Sequence, residues 1–284
     1  VECKPFVRKY TKHIIQRADE LREALAYQMS RFGEPLPNSL KKGLADSMEN
    51  FDEYAYEKYS GGKGKIKFSN VLRMVHPKPK NEARRALYNY LIYPEGHPKE
   101  MKNRLKYLPI LKAKEELMKC DKLDENAKKL AEEAHATWEV FISKFGVGSE
   151  ENKRNAWEYI SSKLPVMACI RNLRNLLNNK VDTKLFLPKL QDEKTILNSK
   201  QLPFRWFSAY REIEGNDNPS TGKVLDALQN AMDISIQNVP RLGGITFSSA
   251  DNSGSMDSPL SERSKVKYCD VANIMQAMLA HVSD

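Results

Sequence analysis

The sequence has few cysteines and no cysteine motif. Cys3, Cys120, Cys169 and Cys269 lie far apart and form no CxxC pair. That spacing argues against a zinc knuckle, and a chain of 284 residues needs no disulfide framework. A reducing, intracellular setting is expected, cytoplasmic with a nuclear location as the alternative. No apolar run approaches the ~18–20 residues of a membrane span. The opening stretch, VECKPFVRKYTK, has no apolar core of a secretory leader, and it lacks an initiator Met, as in a fragment or a processed chain. Alternation of β-branched residues is missing up to Pro240. HExxH, GxSxG and a phosphate-binding Gly loop are also missing. The five histidines are scattered, and GGKGK at Gly61–Lys65 lacks the Walker A spacing. Nothing in the sequence indicates an enzyme.

What is abundant is charge. Charged residues are 29% of the chain and hydrophobic residues 40%, so a real core coexists with a very polar surface. The net charge of +9 is uneven. From Lys58 to Lys114 there are 15 Lys and Arg against 3 Asp and Glu, a net of +12. The rest of the chain has 31 against 34. One block therefore holds all of the basic excess, which implies a polyanionic partner.

Helical periodicity dominates. Leu164 to Asn178, LPVMACIRNLRNLLN, reads as one amphipathic helix. Met167, Ile170, Leu173 and Leu177 form its apolar stripe, and Arg171, Asn172, Arg174 and Asn175 its polar edge. Phe6–Ser30 predicts another helix, and GEPLPNS a break after it. Further helices are expected from Asn38 or Ser39 to Tyr59, over Ser69–Val75, over Glu82–Ile92 and from Lys99 to Lys119 with a break at Pro109. Others are expected over Glu125–Phe145, Glu151–Lys163, Lys184–Leu190, Pro203–Ile213 and Lys223–Val239. Helix after helix with short connections points to stacked helical hairpins.

After PRLGG, at Pro240–Gly244, the character changes. ITFSSA predicts a short strand, DNSGSM a polar loop and Lys265–Val282 a helix, the opening of an α/β unit. Asp251, Ser253 and Ser255 spell D-x-S-x-S. One carboxylate and two hydroxyls suit a hard cation such as Mg²⁺, and the same residue types also make ordinary turns.

The basic block contains KYSGGKGKIKFSNVLRMVHPKPKNEARR, Lys58–Arg85. Its cations, Arg84 and Arg85 among them, can neutralise phosphates. Tyr59, Phe68, Tyr88 and Tyr90 either stack on bases or belong to the core. RNA, DNA and acidic proteins all remain open partners on charge alone.

LPNSLKKGLADSMENFDEYAYEKY, LRMVHPKP, MACIRNLRNLL, QLPFRWFSAY and ALQNAMDISIQNVPRLGGITFSSADNSGSM occur in this order. Together they resemble the TROVE module of the Ro autoantigen and of the vault and telomerase-associated RNA-binding protein. The D-x-S-x-S loop resembles the metal-ion-dependent adhesion site of von Willebrand factor A domains. The resemblance implies a mainly α fold: a HEAT-like helical-repeat ring over 1–242, incomplete if the ring begins before Val1. The start of an A-like domain would follow over 243–284. It implies binding of small structured non-coding RNA, Y-RNA-like, and of single-stranded RNA ends, as a ribonucleoprotein component or RNA quality-control factor. Lys58, Arg73, His76 and Lys78 fall on the family's RNA-contact region. The A-domain site would be incomplete here and hold Mg²⁺ weakly. The alternative is a helical scaffold that binds acidic proteins through its basic surface and A-like domain.

Overall fold

Residues 4–61, 66–262 and 264–283 are described by the computed structural model, and every regular element among them is helical. The chain clusters into two compact units, Val1–Thr137 and Trp138–Asp284. The first carries α1 (Lys4–Ile14), α2 (Ala18–Phe32), α3 (Asn38–Met48), α4 (Glu53–Lys58), α5 (Phe68–Val75), α6 (Glu82–Ile92), α7 (Pro109–Lys119) and α8 (Glu125–Glu133). The second carries α9 (Trp138–Phe145), α10 (Glu150–Ser161), α11 (Val166–Arg171), α12 (Leu173–Asn178), α13 (Leu187–Gln191), α14 (Glu193–Asn198), α15 (Pro203–Ile213), α16 (Thr221–Ser235) and α17 (Tyr268–Val282). The boundary expected near residue 242 lies inside this second unit.

The mainly α expectation holds, but four expected helices are each two. Phe6–Ser30 breaks because the Glu20 carboxylate accepts the N–H groups of Gln16 at 2.7 Å and Arg17 at 3.1 Å, capping α2. The helix after Asn38 breaks because Asp52 caps α4, accepting the Ala55 N–H at 2.8 Å. Glu125–Phe145 breaks at His135, whose φ is 47° and whose ring lies 5.5 Å from that of Tyr54. Leu164–Asn178 is interrupted at Asn172. The Asn172 side-chain amide donates to the Ala168 carbonyl at 2.8 Å and competes there with its own backbone N–H, 3.2 Å from the same oxygen. Each break is a polar side chain or a strained residue acting inside an apolar period that runs on unaltered. The break expected at Pro109 is present: ahead of it only Arg104–Tyr107 forms a 3-10 turn, Leu108 is non-helical, and Pro109 opens α7, where its missing N–H costs nothing.

The first unit closes around Leu21, Leu25, Leu44, Met48 and Tyr56, all fully buried. Tyr56 packs edge-on against Phe68, ring centroids 5.0 Å apart, and its hydroxyl donates to the Met48 carbonyl. Each buried Leu contributes about 1.5–3 kcal/mol, more than any propensity term of these short helices. Gly43 sets how closely α1 lies on α3. A methyl group there would meet Thr11 Cβ at 2.7 Å and the Arg8 carbonyl at 3.2 Å. In the second unit Trp206 and Phe186 are fully buried.

The expected strand at 245–250 does not form. Among the described residues there is no strand, only two isolated bridges, Leu242 with Ser283 and Pro259 with Lys267. Ile245 and Phe247 are fully exposed. A strand needs a neighbour to take its N–H and C=O groups, and none lies beside this segment. The expected helix after it does form, as α17. Residues 62–65 of the basic loop lie outside the described residues. Cys120, Cys169 and Cys269 are free thiols. No helix among the described residues is long and apolar enough to cross a membrane.

Candidate nucleic-acid interface

The stretch from His76 to Lys80 is held by the two helices that flank it. His76 ends α5 in the left-handed conformation, φ 53° and ψ 55°, and its N–H donates to the Leu72 carbonyl. Pro77 bars a right-handed continuation at His76, and Pro79 keeps the next residues off a helix as well. Asn81 then caps α6, accepting the Arg84 N–H at 2.8 Å. The result is a stiff loop with His76, Lys78 and Lys80 exposed.

This loop forms one wall of a cleft of about 520 Å³ within the first unit. The other wall is Arg8 of α1 with Lys41, Lys42, Ala45 and Asp46 of α3. Arg8, Lys41, Lys42, Lys78 and Lys80 face Asp46 and Glu49, and both acids are already paired. Arg8 grips Asp46 with two hydrogen bonds, Nε at 2.6 Å and Nη2 at 3.0 Å. Those bonds hold the Asp46 carboxyl below the usual range. The pair therefore persists at neutral pH, and its contribution is lost only as pH falls through that depressed value. Glu49 lies 3.5 Å from Lys80 and 3.9 Å from Arg84, and accepts from the Tyr88 hydroxyl at 3.2 Å. Lys41, Lys42 and Lys78 form no ion pair among the described residues. The cleft thus keeps several uncommitted cations converging on one space, an arrangement that neutralises phosphates.

The sequence-predicted residues divide. His76 and Lys78 line the cleft. Lys58 is exposed at the end of α4, with its ammonium 5.7 Å from the Tyr54 ring centroid and 5.5 Å from that of Tyr59. Arg73 is exposed in the last turn of α5, and its Nη2 lies 3.5 Å from the Ile92 carbonyl. Arg85 is exposed on α6 beside Glu82. None of these three lines the cleft. Arg84 has a structural task. Its guanidinium donates to the carbonyls of Phe51 at 2.6 Å, Glu49 at 3.2 Å and Met48 at 3.3 Å, closing the C-terminal end of α3. Phe68 and Tyr88 are core residues, 4% and 5% exposed, so neither ring can stack on a base. Sequence reasoning missed Arg8, Lys41 and Lys42 because they lie outside the basic block. The available signal was Lys-Lys-Gly inside a helix, since a glycine there marks a close approach of another element.

The Asp251 loop sits in the second unit. Asp251 Oδ1 accepts the Ser253 N–H at 2.8 Å, which lowers its carboxyl pKa, and the Ser253 and Ser255 hydroxyls are 3.1 Å apart. That separation is a hydrogen bond between the two hydroxyls, and it is also close to the roughly 3 Å between adjacent ligands at ~2.1 Å from an octahedral ion. A single exposed carboxylate makes the donor set weak. Among the described residues no three His, Cys, Asp or Glu side chains converge as a metal site.

The family model for the TROVE domain matches residues 1–136 and 123–241. Telomerase protein component 1 of Mus musculus is 27% identical over 267 residues, covering 75% of this chain and 10% of that protein. Its Rattus norvegicus counterpart is 27% identical over 264 residues, with the same coverage. The chain thus spans about a tenth of the length of these curated relatives. The crystal structure of Deinococcus radiodurans Ro (RSR) protein matches with a TM-score of 0.71 at 17% identity, over 97% of this chain and 57% of that one. That likeness is one of fold.

Proposed function

The chain belongs to the TROVE domain family, and on that basis we propose that it binds RNA through the cleft between α1, α3 and the His76–Lys80 loop, as a ribonucleoprotein component. The observation that carries this reading is the cleft's charge. Five Lys and Arg line it against two acids that are themselves paired. The similarity to a telomerase component and the fold shared with a Ro protein support an RNA partner. Within this reading the partner is a small structured non-coding RNA, Y-RNA-like, with single-stranded ends as further ligands. Lys58, Arg73 and Arg85 add exposed phosphate contacts outside the cleft.

The test is RNA binding across a salt series, with heparin as competitor. If about five phosphates of a single strand are contacted, log K falls against log[salt] with a slope of roughly −3.5. Competition by heparin equal to that of RNA per charge would leave only a general polyanion surface, as a scaffold for acidic proteins would have.

For the Asp251 loop we propose weak Mg²⁺ binding, with Asp251 as the charged ligand and Ser253 and Ser255 supplying neutral oxygens. Calorimetry should give weak uptake that Asp251→Ala removes. Identical heats from the two proteins would make DNSGSM a turn and nothing more. RNA binding should survive EDTA, because no cleft residue belongs to this loop.

A further inference from the structure

We propose that the outward face of α1, on the other side of that helix from the cleft, is a stacking platform for unpaired RNA bases. This deepens the RNA-binding reading above and rests on it. Two contacts fix how α1 is turned. Thr11 packs onto Gly43, and Arg8 grips Asp46. Those residues face α3, so Phe6, Lys9, Tyr10 and His13, spaced three and four apart, share the opposite face.

Phe6 and Tyr10 are 56% and 51% exposed. Their ring centroids are 6.1 Å apart with planes only 16° from parallel. Among the described residues these two large, half-exposed aromatic side chains have no packing role beyond each other to explain them. Lys9 Nζ lies 6.0 Å from the Tyr10 centroid. The whole helix, KPFVRKYTKHI, contains no Asp or Glu. Rings interleaved with cations and free of acids match a single strand, whose bases offer flat π-faces and whose phosphates need neutralising. A purely apolar protein surface would need no cations here, and an acidic one would not need parallel rings. Arg8 lies on the same helix and lines the cleft. A strand held by its phosphates in the cleft reaches Phe6 and Tyr10 by crossing over α1.

The test compares two strands of equal length and charge by fluorescence anisotropy, an oligoadenylate of about 12 nucleotides and its abasic counterpart. The wild-type chain should prefer the adenine strand by about 10-fold for each base stacked. The F6A/Y10A variant should lose that preference while binding the abasic strand as the wild type does, with the same salt slope. Phe6→Tyr keeps the ring and should keep the preference. Circular dichroism reports whether helix content is preserved. If F6A/Y10A still prefers oligoadenylate as the wild type does, the platform is overturned, RNA binding by the cleft stands, and the stripe belongs to a protein partner. If the wild type binds neither strand, this extension falls, and it takes the RNA reading with it only if a structured RNA in the same assay is not bound either.

Discussion

Replacing Lys41, Lys42, Lys78 and Lys80 together by Gln should weaken RNA binding about 200-fold at 0.15 M salt. Each single-strand phosphate contact contributes about 0.7 to the salt slope, so four contacts contribute roughly 2.8. Extended from 0.15 M to about 1 M, where the counterion term vanishes, each contact is worth about 0.6 log units. The slope itself should flatten by roughly 2.8, and that readout separates lost contacts from lost folding. Lys42, Lys78 and Lys80 are exposed and Lys41 is half-buried, and Gln is as good a helix former as Lys, so helix content should not change. Lys184, Lys194 and Lys223 are also exposed, belong to the second unit and do not line the cleft. Changing them to Gln serves as the control and should alter affinity only a few-fold. Equal losses per lysine replaced in the two sets would show that binding follows total charge and that the cleft has no special part in it.

Arg84→Ala should destabilise the first unit by about 3 kcal/mol, and Arg85→Ala by less than about 0.5 kcal/mol. The two arginines are adjacent in sequence and opposite in circumstance. The Arg84 side chain is 16% exposed and bonds three carbonyls at the end of α3, with Glu49 close by. Truncation leaves those carbonyls without their donor and removes a cation from beside Glu49. Arg84→Lys should recover little, because one ammonium cannot reproduce the planar fork that reaches three acceptors. The Arg85 side chain is 64% exposed and pairs with an exposed Glu82 at 3.0 Å, a contact worth little. Urea unfolding of each variant, followed at the first unit's transition, checks the contrast. Similar midpoints for Arg84→Ala and Arg85→Ala would remove the structural role assigned to Arg84.

Much of this fold is legible in the sequence, because a helix is a local object. The apolar spacing of Leu164–Asn178 puts Ile170, Leu173, Leu176 and Leu177 in the core, and Arg171, Arg174 and Asn175 in solvent. The helix expected at Glu82–Ile92 is α6 with the same ends. The family is legible too, since LRMVHPKP and MACIRNLRNLL keep its order along most of the chain. The breaks inside expected helices were hidden because an apolar period does not record which side chain competes for a backbone group. Asn172 shows this. It sits between apolar positions as a polar-edge residue would, yet it is buried and takes the Ala168 carbonyl.

The cleft was half legible. His76, Lys78 and Lys80 are consecutive features of one loop, and the two prolines around them make its stiffness readable. The facing wall is not readable in the same way, because Arg8 and Lys41 become neighbours of that loop only when α1 settles on Gly43. Similarly, the composition of Lys58–Arg85 could not tell Arg84 from Arg85, or an exposed ring from a buried Phe68. By itself the sequence determined the helical character, the basic excess and the family, since these depend on near neighbours, on totals and on motif order. The tertiary structure alone decided which cations share a space, which arginine closes α3 and whether residues 245–250 form a strand. Those outcomes depend on groups far apart in the chain, and a strand in particular exists only when another backbone lies beside it to take its hydrogen bonds.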